Sequence, residues 1–220
     1  MLSPAPFIDH TLLKPEATGE EIRLLCEEAV EYGFAAVCVP PVFVSLAVDC
    51  LYGSEVRVAT VVGFPFGYST PATKAFEAAE AVAAGAREID LVIHWGGVRQ
   101  GGLAAAQAEI AELVRLVPEA TVKVILECCH LEPALQQAMV ERAVAAGAAF
   151  VKTSTGFGPA GATVADVQRL VAAAAGRIRV KAAGGIRDWP TCRAMLEAGA
   201  SRIGTSAGVA IVHQWQQSQP

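Results

Sequence analysis

Ala146-Gly147-Ala148-Ala149-Phe150-Val151-Lys152-Thr153-Ser154 is the stretch on which the fold turns. An alanine-rich segment of helical character ends in a glycine, and a β-like run follows at once. Glycine supplies the positive φ that a helix C-cap demands. The device recurs. Ala84-Gly85-Ala86 leads to Ile89-Asp90-Leu91-Val92-Ile93, Ala198-Gly199-Ala200 leads to Arg202-Ile203-Gly204, and Tyr32-Gly33-Phe34 leads to Ala36-Val37-Cys38-Val39. The repeating unit is helix, tight turn, strand.

Eight runs qualify as strands: Phe7–Thr11, Phe34–Val39, Val56–Gly63, Glu88–His94, Thr121–Glu127, Phe150–Ser154, Ile178–Ala183 and Arg202–Thr205. Helix-like stretches separate most of them, the clearest being Glu20–Tyr32, Pro71–Ala84, Leu103–Val117, Pro133–Ala146, Val164–Ala175 and Pro190–Ala198. Thr70-Pro71, and Thr163 followed by Asp166, have the form of helix starts. Strand–helix alternation without a composition break predicts an α/β protein, a (β/α)8 TIM barrel forming a single domain over residues 1–220. A doubly wound open sheet is the rival and would need fewer strands. The last residues, Gln214 to Pro220, are polar and are expected to fray.

The 220 residues are 53% hydrophobic and 18% charged, which allows a large core and speaks against extended disorder. A net charge of −5 argues against a nucleic-acid or anionic-membrane surface as partner. The apolar content is scattered alanine, with no run long enough to span a bilayer. Met1 to Asp9 does not read as a signal peptide. The cysteines, Cys26, Cys38, Cys50, Cys128, Cys129 and Cys192, include no C-x-x-C pair and suit reduced core thiols. A cytoplasmic protein is expected.

Three lysines sit inside β runs at equal intervals of 29 residues: Lys123, Lys152 and Lys181. Side chains alternate across a strand. In the fourth strand Ile89, Leu91 and Ile93 take the helix-facing side, which turns Asp90, Val92 and His94 inward. The same parity sets Lys123 opposite Val122 and Val124, Lys152 opposite Val151, and Lys181 opposite Val180. Barrel interiors are usually filled by branched aliphatics, so Asp, Lys, Lys and Lys from four consecutive strands mark a working site. The plainer reading is a buried ionic plug with Asp90 and Glu127 as counterions. Three lysines near strand C-termini, beside only two acids, favour chemistry. An ordinary lysine of pKa about 10.4 is neutral in about one molecule in 2,500 at pH 7. A second ammonium about 6.5 Å away raises the cost of charging it by roughly 2.5 kcal/mol at an effective dielectric of ~20. Only the neutral amine attacks a carbonyl. A lysine pair on adjacent strands is a device for making one.

At these residues the chain resembles the class I, Schiff-base-forming deoxyribose-phosphate aldolases. The likeness runs from Ile8-Asp9-His10-Thr11-Leu12-Leu13-Lys14-Pro15 through Ala59-Thr60-Val61-Val62-Gly63-Phe64-Pro65 and Glu88-Ile89-Asp90. It continues with Lys123-Val124-Ile125-Leu126-Glu127 and Phe150-Val151-Lys152-Thr153-Ser154-Thr155-Gly156, then Lys181-Ala182-Ala183-Gly184-Gly185-Ile186-Arg187 and Arg202-Ile203-Gly204-Thr205-Ser206. Each fragment alone is weak; their order and spacing together are specific. The resemblance implies reversible cleavage of 2-deoxy-D-ribose 5-phosphate to D-glyceraldehyde 3-phosphate and acetaldehyde. It implies that Lys152 forms the imine, that Lys181 is the neighbouring cation, that Asp90 shuttles protons with Lys181 and a water, and that Lys123 belongs to the same network. This route calls for no metal or other cofactor, because the imine supplies the electrophile. Self-association as a homo-dimer or tetramer is a further implication.

Gly184-Gly185 follows the seventh strand, and Gly204-Thr205-Ser206 follows the eighth and opens a last short helix. Barrels hold phosphate on these two loops with backbone N–H groups and a helix N-terminus. Thr155 and Gly156 add a third loop. The plainer reading of the glycines is tight turns. Asp9 and Thr11 lie where the resemblance places the hydroxyl-binding side of the pocket, although a capping or core hydrogen-bond role suits them equally. Cys38 matches a cysteine near that pocket, yet a buried thiol usually just packs. The chain also departs from the pattern. His94 stands where many relatives have Asn, Phe157 where some carry Lys, and no C-terminal tyrosine is present.

Three other readings compete. His10, His94 and His130 near strand ends suggest metal catalysis, but there is no H-x-H pair, and Cys128-Cys129-His130 lacks zinc spacing. A non-catalytic phosphosugar-binding barrel would keep the glycine loops without needing Lys152. A Schiff-base aldolase of another phosphosugar would differ only in pocket shape.

Overall fold

The computed structural model describes residues 3–219; Met1, Leu2 and Pro220, the ends of the expected domain, lie outside the described residues. Eight parallel strands close into a barrel in sequence order, with the last paired to the first. They are β1 (Ile8–Thr11), β2 (Ala36–Val39), β3 (Arg57–Val62), β4 (Glu88–Val92), β5 (Thr121–Ile125), β6 (Phe150–Lys152), β7 (Arg179–Ala183) and β8 (Arg202–Thr205). The TIM barrel read from the turn repeat is therefore the fold, and the open sheet is not.

Around it run α1 (Gly19–Tyr32), α2 (Val44–Cys50), α3 (Pro71–Ala83), α4 (Trp95–Arg99), α5 (Leu103–Leu116), α6 (Pro133–Ala145), α7 (Val164–Ala174), α8 (Trp189–Glu197) and α9 (Gly208–Gln217). Thr70 and Thr163 cap α3 and α7 by accepting the N–H groups of Thr73 and Asp166. The turn glycines Gly33, Gly85, Gly147 and Gly199 all stand at positive φ. The helix signals in the sequence thus act where they were read.

Several strands are shorter than expected. Ile93, Leu126 and Ile178 lie beyond the ladders yet are buried. Ile93 and Leu126 each still donate one bond to the neighbouring strand, to the Ile125 and Lys152 carbonyls at 3.4 and 3.0 Å, whereas Ile178 precedes β7; all three pack in the core between barrel and helices. The tail is a correction. Gln214 to Gln217 belong to α9, and the Gln214 side chain accepts the Trp189 N–H at 2.8 Å, so this segment is tied down.

Two apolar regions divide the core. The larger lies between barrel and helices and includes the outward Val122, Val124, Val151 and Val180. The smaller lies inside the barrel, where Ala36, Cys38, Ala59 and Val61 of β2 and β3 pack with Leu13 and Phe64. The rest of the interior holds the charged residues, with Val92, Ile125 and Phe150 buried among them on the same inward parity.

Candidate active site

The parity argument holds at each lysine. Lys152 and Lys181 are direct cross-strand partners on β6 and β7, and Asp90 pairs in register with Lys123. Their side chains converge on one carboxylate. Asp90 Oδ2 accepts Lys152 Nζ at 2.7 Å and Lys181 Nζ at 2.8 Å, while Oδ1 accepts Lys123 Nζ at 2.7 Å. Sharing one oxygen holds the Lys152 and Lys181 nitrogens within about 5.5 Å of each other, closer than the spacing of adjacent strands alone suggested.

The counterions differ from those expected. Glu127 takes no part. Asp9 does, although the resemblance put it on the hydroxyl-binding side of the pocket. It is fully buried, with Oδ2 on Lys181 at 2.5 Å and Oδ1 on Arg202 at 2.5 Å. Glu88 completes the lower layer, 2.6 Å from Lys123 and 3.1 Å from Arg202. Four cations, Lys123, Lys152, Lys181 and Arg202, face three carboxylates. Lys152, nearest the mouth, reaches only the Asp90 oxygen that Lys181 also uses.

That inequality separates the lysines chemically. Burial is the largest influence on each and disfavours the charged form. At Lys181 the attractions of Asp9 and Asp90 outweigh burial and hold the ammonium above its ordinary value. At Lys123, Asp90, Asp9 and Glu88 do the same against burial and Lys181. At Lys152 burial, reinforced by Lys181, outweighs Asp90, and the amine falls below its ordinary value of 10.5. Burial would raise Asp90, yet the three lysines hold it well below the carboxylate range. Cys38 is pushed up to about 11 by burial first and by Asp90 next, so its thiol is neutral and packs.

Lys152 opens into a cavity of about 250 Å³ at the C-terminal end of the barrel. Thr11, Thr155, Gly156, Gly184, Gly185, Gly204, Thr205 and Ser206 all line it, with Lys14 and Arg187 as the other cations. The N–H groups of Gly156, Gly184, Gly185 and Ser206 meet no protein acceptor among the described residues. Unspent amides on adjacent loops are suited to an anion. The threonine hydroxyls are less available. Thr11 donates to the Asp9 carbonyl at 2.9 Å, Thr205 to the Ile186 carbonyl at 2.6 Å, and Thr155 to the Glu127 carboxylate. Gly204 has a second role. A Cβ there would lie 3.1 Å from Lys181 Cε, so its lack of a side chain gives that lysine passage.

A family model described as DeoC/LacD family aldolase matches residues 5–214. The chain belongs to this family. It is 55% identical over 218 residues to a deoxyribose-phosphate aldolase of Syntrophotalea carbinolica, covering 99% of both chains. It is 51% identical over 208 residues to one of Thermus thermophilus, covering 94% of each. A deoxyribose phosphate aldolase from Aeropyrum pernix, described as having a unique tetrameric structure, superposes with a TM-score of 0.90 at 36% identity, over 96% of this chain and 90% of that one.

In this DeoC/LacD aldolase His10, His94 and His130, three of its four histidines, occupy separate environments. His10 is buried against Glu28 at 2.6 Å. His130 stacks on Trp95 with centroids 4.3 Å apart. His94, expected to point inward, is exposed in a separate depression with Ser69, Gly97 and Glu109. The strand ends at Val92, so its alternation no longer governs position 94. No three His, Cys, Asp or Glu side chains among the described residues are grouped to hold a metal ion. Phe157 lines the cavity and packs edge-on against Phe64. Arg202 and Glu88 were not singled out from sequence. The signal was present, since both share inward parity with Lys181 and Asp90 by cross-strand register and by alternation.

Proposed function

We propose that this chain cleaves 2-deoxy-D-ribose 5-phosphate reversibly to D-glyceraldehyde 3-phosphate and acetaldehyde through an imine on Lys152. The observation that carries the reading is the contrast within one buried cluster. Of the three lysines around Asp90, Lys152 alone has its pKa lowered, and it opens into the cavity.

The neutral Lys152 amine adds to the aldehyde carbon of the open-chain sugar, and water leaves. The protonated imine draws electrons from the C2–C3 bond as the C3 hydroxyl loses its proton. Glyceraldehyde 3-phosphate departs, leaving an enamine. Protonation of that enamine at C2 and hydrolysis release acetaldehyde and restore the amine. Asp90, 2.7 Å from Lys152 and 2.8 Å from Lys181, is the group through which protons pass. Lys181 keeps its charge and repels a proton from Lys152, and Lys123 anchors the other Asp90 oxygen. The phosphate lies on the amides of Gly184, Gly185 and Ser206, with Gly156 opposite and Arg187 at the rim. Thr11 and Thr155 shape the wall, and Thr205 ties the two phosphate loops together.

Acetaldehyde followed by borohydride tests the assignment. A stable ethyl adduct on Lys152, located by peptide mapping, is the expected result; an adduct on another lysine, or none in active protein, defeats it. Turnover of 2-deoxyribose 5-phosphate against other phosphosugars tests the substrate. We place the protein in the cytoplasm, in keeping with its six free cysteines, four of them buried. No helix among the described residues is long and apolar enough to cross a membrane. We also propose that it assembles as a dimer or tetramer, as the Aeropyrum protein does as a tetramer, and sedimentation equilibrium decides the number.

A further inference from the structure

We propose that Glu127 is a positioning residue for the reaction, holding the Thr155–Phe157 wall of the cavity in register with Lys152. The proposal rests on the function argued above.

Glu127 stands at φ 53° and ψ 65°, in the left-handed region. An L residue with a long side chain is strained there, and such strain persists where the surroundings demand it. Its two backbone neighbours are stitched to β6. The Leu126 N–H donates to the Lys152 carbonyl at 3.0 Å, and the Cys128 N–H donates to the Thr153 carbonyl at 2.8 Å. The left-handed step at Glu127 lies between these two bonds. From the far side, the Gln136 side chain donates to the carbonyls of Cys128 and Leu131.

The side chain completes the arrangement. It is 3% exposed and makes no ion pair with a lysine among the described residues. Its two carboxylate oxygens share the Thr155 N–H at 3.3 Å each, and one accepts the Thr155 hydroxyl. The Thr155 oxygen in turn accepts the Phe157 N–H at 3.0 Å. Gly158 closes over the group, where an added Cβ would lie 3.2 Å from the carboxylate and 3.3 Å from Cys129 Sγ. One carboxylate therefore consumes both Thr155 donors and leaves the Gly156 N–H as the unspent amide of this wall. A buried carboxylate serving as a plain loop staple would act on stability alone. A positioning role acts on the binding of a substrate long enough to reach the wall.

The experiment compares Glu127→Ala, Glu127→Gln and Glu127→Gly in the full chain. It measures kcat and KM for cleavage of 2-deoxyribose 5-phosphate, borohydride trapping of acetaldehyde on Lys152, and melting temperature. In Glu127→Ala, KM is expected to rise tenfold or more while trapping stays within twofold, because acetaldehyde is too short to use the wall. Glu127→Gln, which keeps an acceptor oxygen for Thr155, is expected to recover most of that loss. Glu127→Gly relaxes the backbone and is expected to melt no lower than Glu127→Ala, with KM raised equally. If Glu127→Ala does not fold, Gly158→Ala crowds the carboxylate without removing it and is expected to give the same split. An unchanged KM, or a loss of turnover that tracks trapping and melting in every variant, overturns the proposal. Wild-type protein that neither cleaves the sugar nor traps acetaldehyde refutes the underlying function instead, and this role with it.

Discussion

Lys152 and Lys181 are the same amino acid, face each other across one ladder and touch the same oxygen of Asp90. What separates them is the second carboxylate. Asp9 belongs to Lys181 and not to Lys152. Replacing Lys181 with Met keeps the length and removes the charge. Lys152 then loses a repelling ammonium and gains sole use of Asp90 Oδ2, so it holds its proton to higher pH. At about 5.5 Å and an effective dielectric near 20 the lost repulsion is about 3 kcal/mol, on the order of a hundredfold in neutral amine. The rising limb of the kcat/KM profile should move to higher pH, with neutral-pH activity falling at least tenfold in folded protein. An unmoved limb would show that Lys181 acts by some other means. The inward direction of all three lysines and Asp90 was legible from strand parity. Their partners were less so. Asp9 comes from β1 and Arg202 from β8, far from Asp90 in sequence and joined to it only when the barrel closes. Parity reports a face, and contact across a lumen needs the third dimension.

The elements were legible where the physics is local. Glycine caps, threonine caps and alternation each act within a few residues, and the strands and long helices followed from them. α2 and α4 did not, because seven and five residues are too few to display helical periodicity. The fit of β8 against β7 was equally hidden. Gly204 was read as a phosphate-loop residue, and it does line the cavity, but its bare α-carbon also clears the Lys181 side chain. Gly204→Ala should force a new Cβ to 3.0 Å from Ala183 Cβ and 3.1 Å from Lys181 Cε. Overpacking of this kind costs about 1–3 kcal/mol. A lower urea midpoint together with slower trapping at Lys152 is the expected pair of results. Slower turnover with an unchanged midpoint would assign Gly204 to phosphate alone.

The molecule as a whole buries a network of charges in its barrel, which makes folding sensitive to acid. Burial alone would raise Asp9, but Lys181, Lys123 and Arg202 lower it to about 2 from an ordinary 3.8. Between those values the unfolded chain binds more protons than the native one, so stability climbs with pH. The contribution is complete above 3.8 and is lost as pH falls toward 2; it amounts to about 2 kcal/mol. Urea titrations at a series of pH values should show a steep loss of stability in that window. Asp9→Asn should flatten the slope and, at neutral pH, cost about 3–5 kcal/mol, because Lys181 and Arg202 lose a buried partner. A variant with the parent's slope would place the acid sensitivity elsewhere.

The interior is also lopsided. Ala36, Cys38, Ala59 and Val61 form a quiet lining on β2 and β3, while Asp9, Glu88, Asp90, Lys123, Lys152, Lys181 and Arg202 come from the remaining strands. Leu13 carries that lining to the cavity wall, so substitutions on the quiet side can reshape one face of the chamber while the ion pairs around Asp90 stay in place.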